Sequence, residues 1–289
     1  MTRRDLMMAA LAGPLFLRAE ENAPKLYPAK VGSQWGYIDD KGSMLIQPSF
    51  QEAWAFESDW APVRTAALWG YIDAHGAIRL DPKYDEARFF HDGIAPVRVN
   101  GLWGFIHRDG SYAIPLQYQS ARSFQQERAR VRVAGLWGFL DIGGNWVIKP
   151  QYDGANGYMD GLAPVQIADK WGYIDKQGKV VIPFRYAHAR SFGARKAAVL
   201  SDGKWGYIDL AGTMQIAPTF EEALDFEDGF CAVKKGGKWG YIGPDGRTRI
   251  DFQFNKADTF RSGLAQVTIV GRDAYIDHSA RIIWQSPLA

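Results

Sequence analysis

The sequence predicts an all-β protein made of one short unit repeated in tandem. Three observations carry this reading. Trp-Gly recurs at 35, 69, 103, 137, 171, 205 and 239, always 34 residues apart. The residues beside each pair alternate between apolar and polar with the two-residue period of a strand. A total of 31 Gly and 14 Pro supplies frequent turns. A fixed period with no insertion means that each unit is one supersecondary element packed on its neighbours. An eighth unit follows in phase, with Asp273-Ala274 in the Trp-Gly slots and Tyr275-Ile276-Asp277 after them.

Units begin at Tyr27, Ala61, Ala95, Ala129, Ala163, Ala197, Cys231 and Ala265, which defines a repeat domain over 27–289. The first strand of a unit reads as in Ala95-Pro96-Val97-Arg98-Val99, with Ala and both Val on one face. A tight hairpin follows at dipeptides such as Asn100-Gly101 or Gly236-Gly237. The second strand carries Trp35, Trp69, Trp103, Trp137, Trp171, Trp205 or Trp239, then Gly, an aromatic and an aliphatic residue. Both of its faces are apolar, so it needs a neighbour on each side and the units must stack. The Gly beside each Trp is expected to accept a close approach, with an aromatic ring of the adjacent unit as the expected neighbour.

Asp followed by Gly three residues later, as at Asp73 and Gly76, fits a four-residue turn in which Asp caps backbone amides. The third strand reads as in Val180-Val181-Ile182, with Pro and an aromatic residue after it in many units. The tail places Ala at 53, 87, 121, 155, 189, 223 and 257, with an aromatic three residues on. That tail reads as a fourth short strand or a tight turn, with a single helical turn as the other possibility.

The W-G-[YF]-[IL]-D motif, the turn Gly, Ile-x-Pro-x-[FY] and Ala-x-x-[FY] together resemble the bacterial WG-repeat (KWG) family over residues 27–289. The resemblance implies a β-rich repeat domain that mediates binding, often in envelope-associated proteins, and it transfers no catalytic residues. The degenerate last unit has the form of a terminal cap, which favours an open superhelical stack of the eight antiparallel units. The alternative is a closed eight-bladed, propeller-like toroid.

Residues 1–19 have Arg3-Arg4, an apolar run from Leu6 to Leu17 and Ala19, the layout of a twin-arginine-like export signal. The apolar run is broken by Gly13-Pro14 and is shorter than the ~20 residues that span a bilayer, so no transmembrane segment is expected in the mature chain. Residues 20–26 read as a linker. The expected location is periplasmic or extracellular. The chain has a net charge of +2, and removing residues 1–19 leaves equal numbers of basic and acidic side chains. That neutrality argues against nucleic acid as a partner.

No catalytic constellation, metal site or cofactor motif stands out. The five His fall in different slots, and the recurring Asp39, Asp73, Asp141, Asp175, Asp209 and Asp277 read as turn caps. Cys231 fills a slot otherwise held mostly by Ala and reads as a small buried apolar residue. Trp54, Trp60, Trp146 and Trp284 lie outside the regular Trp slot, as surface platforms or irregular core filling. The candidate ligand-binding residues are Lys30, Arg64, Arg98 and Arg132, which share the outward slot of the first strand. Stacked in register they would form a ladder that grips a polyanion. The function expected is therefore a non-catalytic binding or scaffold protein of the bacterial envelope, with a protein or an anionic envelope glycan as partner. The alternative is a glycan-acting enzyme with its site at the centre of a closed toroid.

Overall fold

A computed structural model describes residues 25–57 and 59–287; the expected export signal at 1–19 and residues 20–24 of the linker lie outside the described residues. The first unit forms β1 (Tyr27–Val31), β2 (Gln34–Ile38) and β3 (Met44–Phe50), and its tail forms β4 (Glu52–Ala53). The second unit forms β5 (Trp60–Thr65), β6 (Leu68–Asp73) and β7 (Ile78–Tyr84). The sheets do not coincide with the units of sequence. β4 pairs forward with β5, Glu52 opposite Arg64 and Ala53 opposite Val63, so the second sheet runs β4-β5-β6-β7. Each later sheet likewise takes its first strand from the tail before it. The described residues thus form seven four-stranded sheets and a three-stranded first sheet, β1-β2-β3. The tail is a fourth short strand, and at His188–Gly193 it lengthens to a full one.

These sheets are the blades of a closed eight-bladed propeller, which corrects the favoured open stack in favour of its alternative. The turn Gly of each unit sits over the third strand of the blade before it. Gly76 meets Ile46, Gly110 meets Leu80 and Gly246 meets Ile216, and the side chains there approach to 3.2–3.4 Å of where a Cβ would stand. Gly42 of the first unit sits likewise over the last, against the backbone carbonyl of Ile283 and the Cβ of Trp284. Tyr275 donates a hydrogen bond to the Pro28 carbonyl (2.9 Å), Tyr27 donates to the Ser262 carbonyl (2.8 Å), and the two rings lie 5.6 Å apart. The last unit is therefore no cap. Its Ala274 and Ile276 are fully buried, and its Asp273-Ala274 variation leaves the packing surfaces intact.

The deepest aromatic slot is the one two residues after the Trp. Tyr37, Tyr71, Phe105, Phe139, Tyr173, Tyr207 and Tyr241 are all 0% exposed. Trp69, Trp103, Trp171 and Trp239 are buried, whereas Trp35, Trp137 and Trp205 are half-buried. Where the deep residue is Tyr, its hydroxyl mostly donates to a tail carbonyl seventeen residues on, as from Tyr71 to Arg88 (2.6 Å) and from Tyr241 to Asp258 (2.8 Å). Each buried hydroxyl thereby ties the second strand of one blade to the short strand of the next.

The Gly beside each Trp has a different cause from the one expected. A Cβ on Gly104 would lie 2.6 Å from the Ile114 carbonyl oxygen, and on Gly172 it would lie 2.6 Å from that of Ile182. The close neighbour is the third strand of the same blade, which bulges at its Pro, and not a ring of the next unit. The last unit lacks that bulge at this position, Ala274 pairing directly with Gln285, and so it accepts a Cβ.

Candidate functional site

The axis of the ring is walled by the tails. In each tail the aromatic residue turns into the core, and strand alternation sends the next residue to the opposite side. That next slot holds Glu57, His91, Gln125, Met159, Gly193, Glu227 and Arg261, and all seven line a central channel of about 750 Å³. A volume of that size is within the range of small-ligand sites. Arg130, Arg190, Asn156 and Asp225 join the wall from neighbouring slots. The Ala and aromatic slots of the tail are nearly uniform, whereas this slot, like the two between Ala and the aromatic, varies from unit to unit.

One side of the channel is charge-balanced. His91 Nε2 lies 2.8 Å from Glu57, whose other oxygen accepts a hydrogen bond from Arg261 at 3.1 Å, and Arg261 also lies 3.9 Å from Glu227. The Glu57–Arg261 pair joins the second blade to the eighth across the first. Its hydrogen bond to Glu57 raises the pKa of His91 against the opposing effect of burial.

The other side is cationic. Arg130 stands where most units carry Pro or Ala, as at Pro62, Pro96 and Pro164, and it is half-buried at the wall. Gly157 makes room there: a Cβ on it would overlap Gln125 and stand 3.2 Å from Arg130 Nη1. Arg122 is the cross-strand neighbour of Arg130, its N–H donating to the Arg130 carbonyl at 3.1 Å. Burial first, then the charges of Arg122 and Arg88, hold the Arg130 guanidinium down to about 9. Burial, with Arg122 beside it, holds Arg88 down to about 10. Arg88 lies 4.9 Å from the ring of Trp103, and Arg190 lies 5.5 Å from that of Trp205. Asp225 is half-buried near Arg190, and desolvation pushes its carboxyl up to about 6.

The four cations of the outward strand slot are placed differently. They sit one per blade, each opposite a Trp across the first hairpin. Arg64 pairs with Glu52, and Arg98 pairs with Glu86 at 2.8 Å. Arg132 donates to the Gly135 carbonyl, and Lys30 lies 5.9 Å from the Trp35 ring. None of the four lines the channel.

The remaining candidates have structural contacts. Asp73 Oδ1 accepts from the N–H groups of His75 (2.9 Å) and Ala77 (3.0 Å), and Asp209 does the same for Ala211 and Thr213. Cys231 is buried, 2.6 Å from the Tyr207 hydroxyl and 2.9 Å from the Leu224 carbonyl, and burial pushes its thiol up to about 12. His188 stacks on Trp171 and His278 on Phe230. Trp54 packs on Trp69 and Phe89, Trp60 on Phe90, and Trp284 on Tyr275, while Trp146 is 39% exposed beside Tyr118. A second cavity, of about 480 Å³, lies at the ring seam against Lys25, the first described residue.

Fold and channel define an eight-bladed β-propeller with a polar axial site. The model of the WG containing repeat matches residues 35–66, 69–103, 103–137, 137–171, 171–205, 205–239 and 239–269. The chain belongs to this repeat family. No curated protein matches it. Among solved structures it is similar to the dihydro-heme d1 dehydrogenase NirN in complex with DHE, with a TM-score of 0.60 and 14% identity over 94% of this chain and 75% of that one. A eukaryotic initiation factor matches with a TM-score of 0.55 and 8% identity over 91% and 85%. Hsv2p of Kluyveromyces lactis matches with a TM-score of 0.52 and 9% identity over 80% and 94%. At these identities the likeness is one of fold alone.

Proposed function

We propose that this protein is an exported, non-catalytic binding protein of the bacterial envelope whose ligand site is the axial channel. The observation that carries this is the tail slot that brings Glu57, His91, Gln125, Met159, Gly193, Glu227 and Arg261 from seven blades around one cavity. Five of those seven residues carry a charged or polar side chain, and all line the same cavity. The channel's cationic side favours an acidic polymer or glycan end over a neutral partner. Export rests on the Arg3-Arg4 signal layout.

The test is retention of the protein on an immobilised acidic polysaccharide. Met159→Trp, which places a large ring in the channel, should abolish retention. Changing Arg64, Arg98 and Arg132 together to Gln should leave it intact. The opposite pattern would move the site to the outer cations, and absence of retention by the unaltered protein would remove the reading.

One observation favours the alternative of a glycan-acting enzyme. Glycoside cleavage uses a pair of carboxyl groups, one with a raised pKa, and burial pushes the Asp225 carboxyl up to about 6 in the channel that Glu57 also lines. Release of reducing sugar from an acidic polysaccharide, lost in Asp225→Asn, would establish that reading.

A further inference from the structure

We propose that Arg130 and Arg190 hold a small oxyanion in the channel, a carboxylate or phosphate group of the ligand, with Arg122 and Arg88 strengthening the positive field around it. The proposal deepens the binding reading and rests on it. Burying a guanidinium without a counter-charge costs free energy that a fold recovers only when hydrogen-bond acceptors meet its donors. Among the described residues those acceptors are missing here. The Nε atoms of Arg130 and Arg190 are buried at the channel wall without hydrogen-bond partners, as are those of Arg64, Arg88, Arg98 and Arg128 outside its lining. Glu86, the carboxylate paired with Arg88, is already shared, at 3.5 Å from Arg88 and 2.8 Å from Arg98. Asp225 lies near Arg190, yet its Oδ1 is also buried without a partner, so the two do not satisfy each other.

The sequence departs from the repeat at Arg130. The slot of Arg130 holds Pro28, Pro62, Pro96 and Pro164, the small Ala198 and Ala232, and in the last blade Gln266. Pro or Ala suffices there in most blades, so packing alone does not call for the Arg. Gly157, beside Arg130, leaves room for the head groups of Gln125 and Arg130. A planar guanidinium with free donors at a cavity wall matches the paired oxygens of a carboxylate or phosphate.

Isothermal titration of the full-length chain with sodium phosphate and, separately, with sodium galacturonate tests this. One of the two should bind, which identifies the source of the oxyanion. Arg130→Ala should weaken that binding at least tenfold. Ala occupies the same slot in two other blades, so the variant should fold, and without anion its thermal midpoint should equal or exceed that of the parent. Arg190→Gln should weaken binding as well, and Arg98→Gln, whose partner lies outside the channel, should not. Failure of the parent to bind either anion, or unchanged affinity in both Arg130→Ala and Arg190→Gln, would overturn the proposal. Retention on acidic polysaccharide that persists under that result would leave the broader binding reading standing, so the two fail separately.

Discussion

A Cβ on Gly104 would stand 2.6 Å from the Ile114 carbonyl oxygen, closer than backbone atoms tolerate, whereas Ala274 occupies the equivalent slot in a blade whose third strand does not bulge there. Gly104→Ala should therefore cost about 1–3 kcal/mol in a denaturation series, and Ala274→Gly should cost less than about 1 kcal/mol. Equal costs would show that the bulge does not impose the Gly. Cys231 makes the complementary case. It fills an Ala slot, its thiol is held up to about 12 by burial, and Tyr207 covers it, so a thiol reagent at about pH 8 should label it only after denaturant is added. Rapid labelling of the native protein would mean that this part of the ring opens. The need for Gly and the burial of Cys231 were both legible in the sequence, because repetition exposes what a slot will accept. The atom that excludes a side chain at Gly104 was not legible, since the bulge brings two strands together through backbone alone.

At the scale of the strand and blade, the three main strands and both turns follow the alternation and the turn dipeptides. Asn100 and Gly101 have φ of 50° and 80°, as a tight hairpin with two left-handed residues requires. The exchange of the tail into the next sheet was hidden, because Glu52-Ala53 is too short to show a period. That exchange also explains the outward cations. The slot before the tail Ala is Glu in several units and comes to lie opposite the Arg slot, so Glu52 meets Arg64, Glu86 meets Arg98 and Glu222 meets Lys234. Such pairs contribute little and offset the charge of Arg64 and Arg98, whereas Lys30 and Arg132 have no carboxylate partner among the described residues. The burial pattern further shifts the weight of the core from Trp to the aromatic two residues on. Phe139→Ala, at 0% exposure and packed on Tyr158 at 5.0 Å, should cost about 3–5 kcal/mol. Trp137→Ala, at a half-buried site, should cost less, and chemical denaturation would reveal the reverse order if the Trp ring were the true anchor.

At the scale of the molecule, the channel exists only because the ring closes, which is why the sequence could not display it. Seven of its residues share one tail slot, and others join from neighbouring slots of the same units. The signal available was Arg130, a cation in a slot that holds Pro or Ala in most other units. The channel should respond to pH in one direction. Asp225 is protonated below about 6 because burial raises its carboxyl, and above that value it places a negative charge near Arg190 and Glu227. His91, raised by Glu57, loses its positive charge as pH rises through its own pKa. Both changes make the channel less positive, so anion affinity should fall as pH rises through about 6, and Asp225→Asn should flatten that fall. Stability has the same sign. A raised folded-state carboxyl favours the native state at low pH, and that contribution is lost as pH rises from the unfolded value of 3.8 to about 6. An affinity that rose with pH would contradict the assignment of the cationic wall.

The channel and its chemistry depend on the closure of the ring. Small-angle scattering of the monomer in solution measures that closure most directly. A compact chain of this length should have a radius of gyration of about 18 Å. Eight sheets stacked in the open at about 10 Å spacing would extend to about 80 Å and give at least about 23 Å. The closed propeller requires the smaller value and a scattering profile of a short, wide particle. A radius above about 23 Å, with the profile of a rod, would contradict the propeller and remove the channel with it.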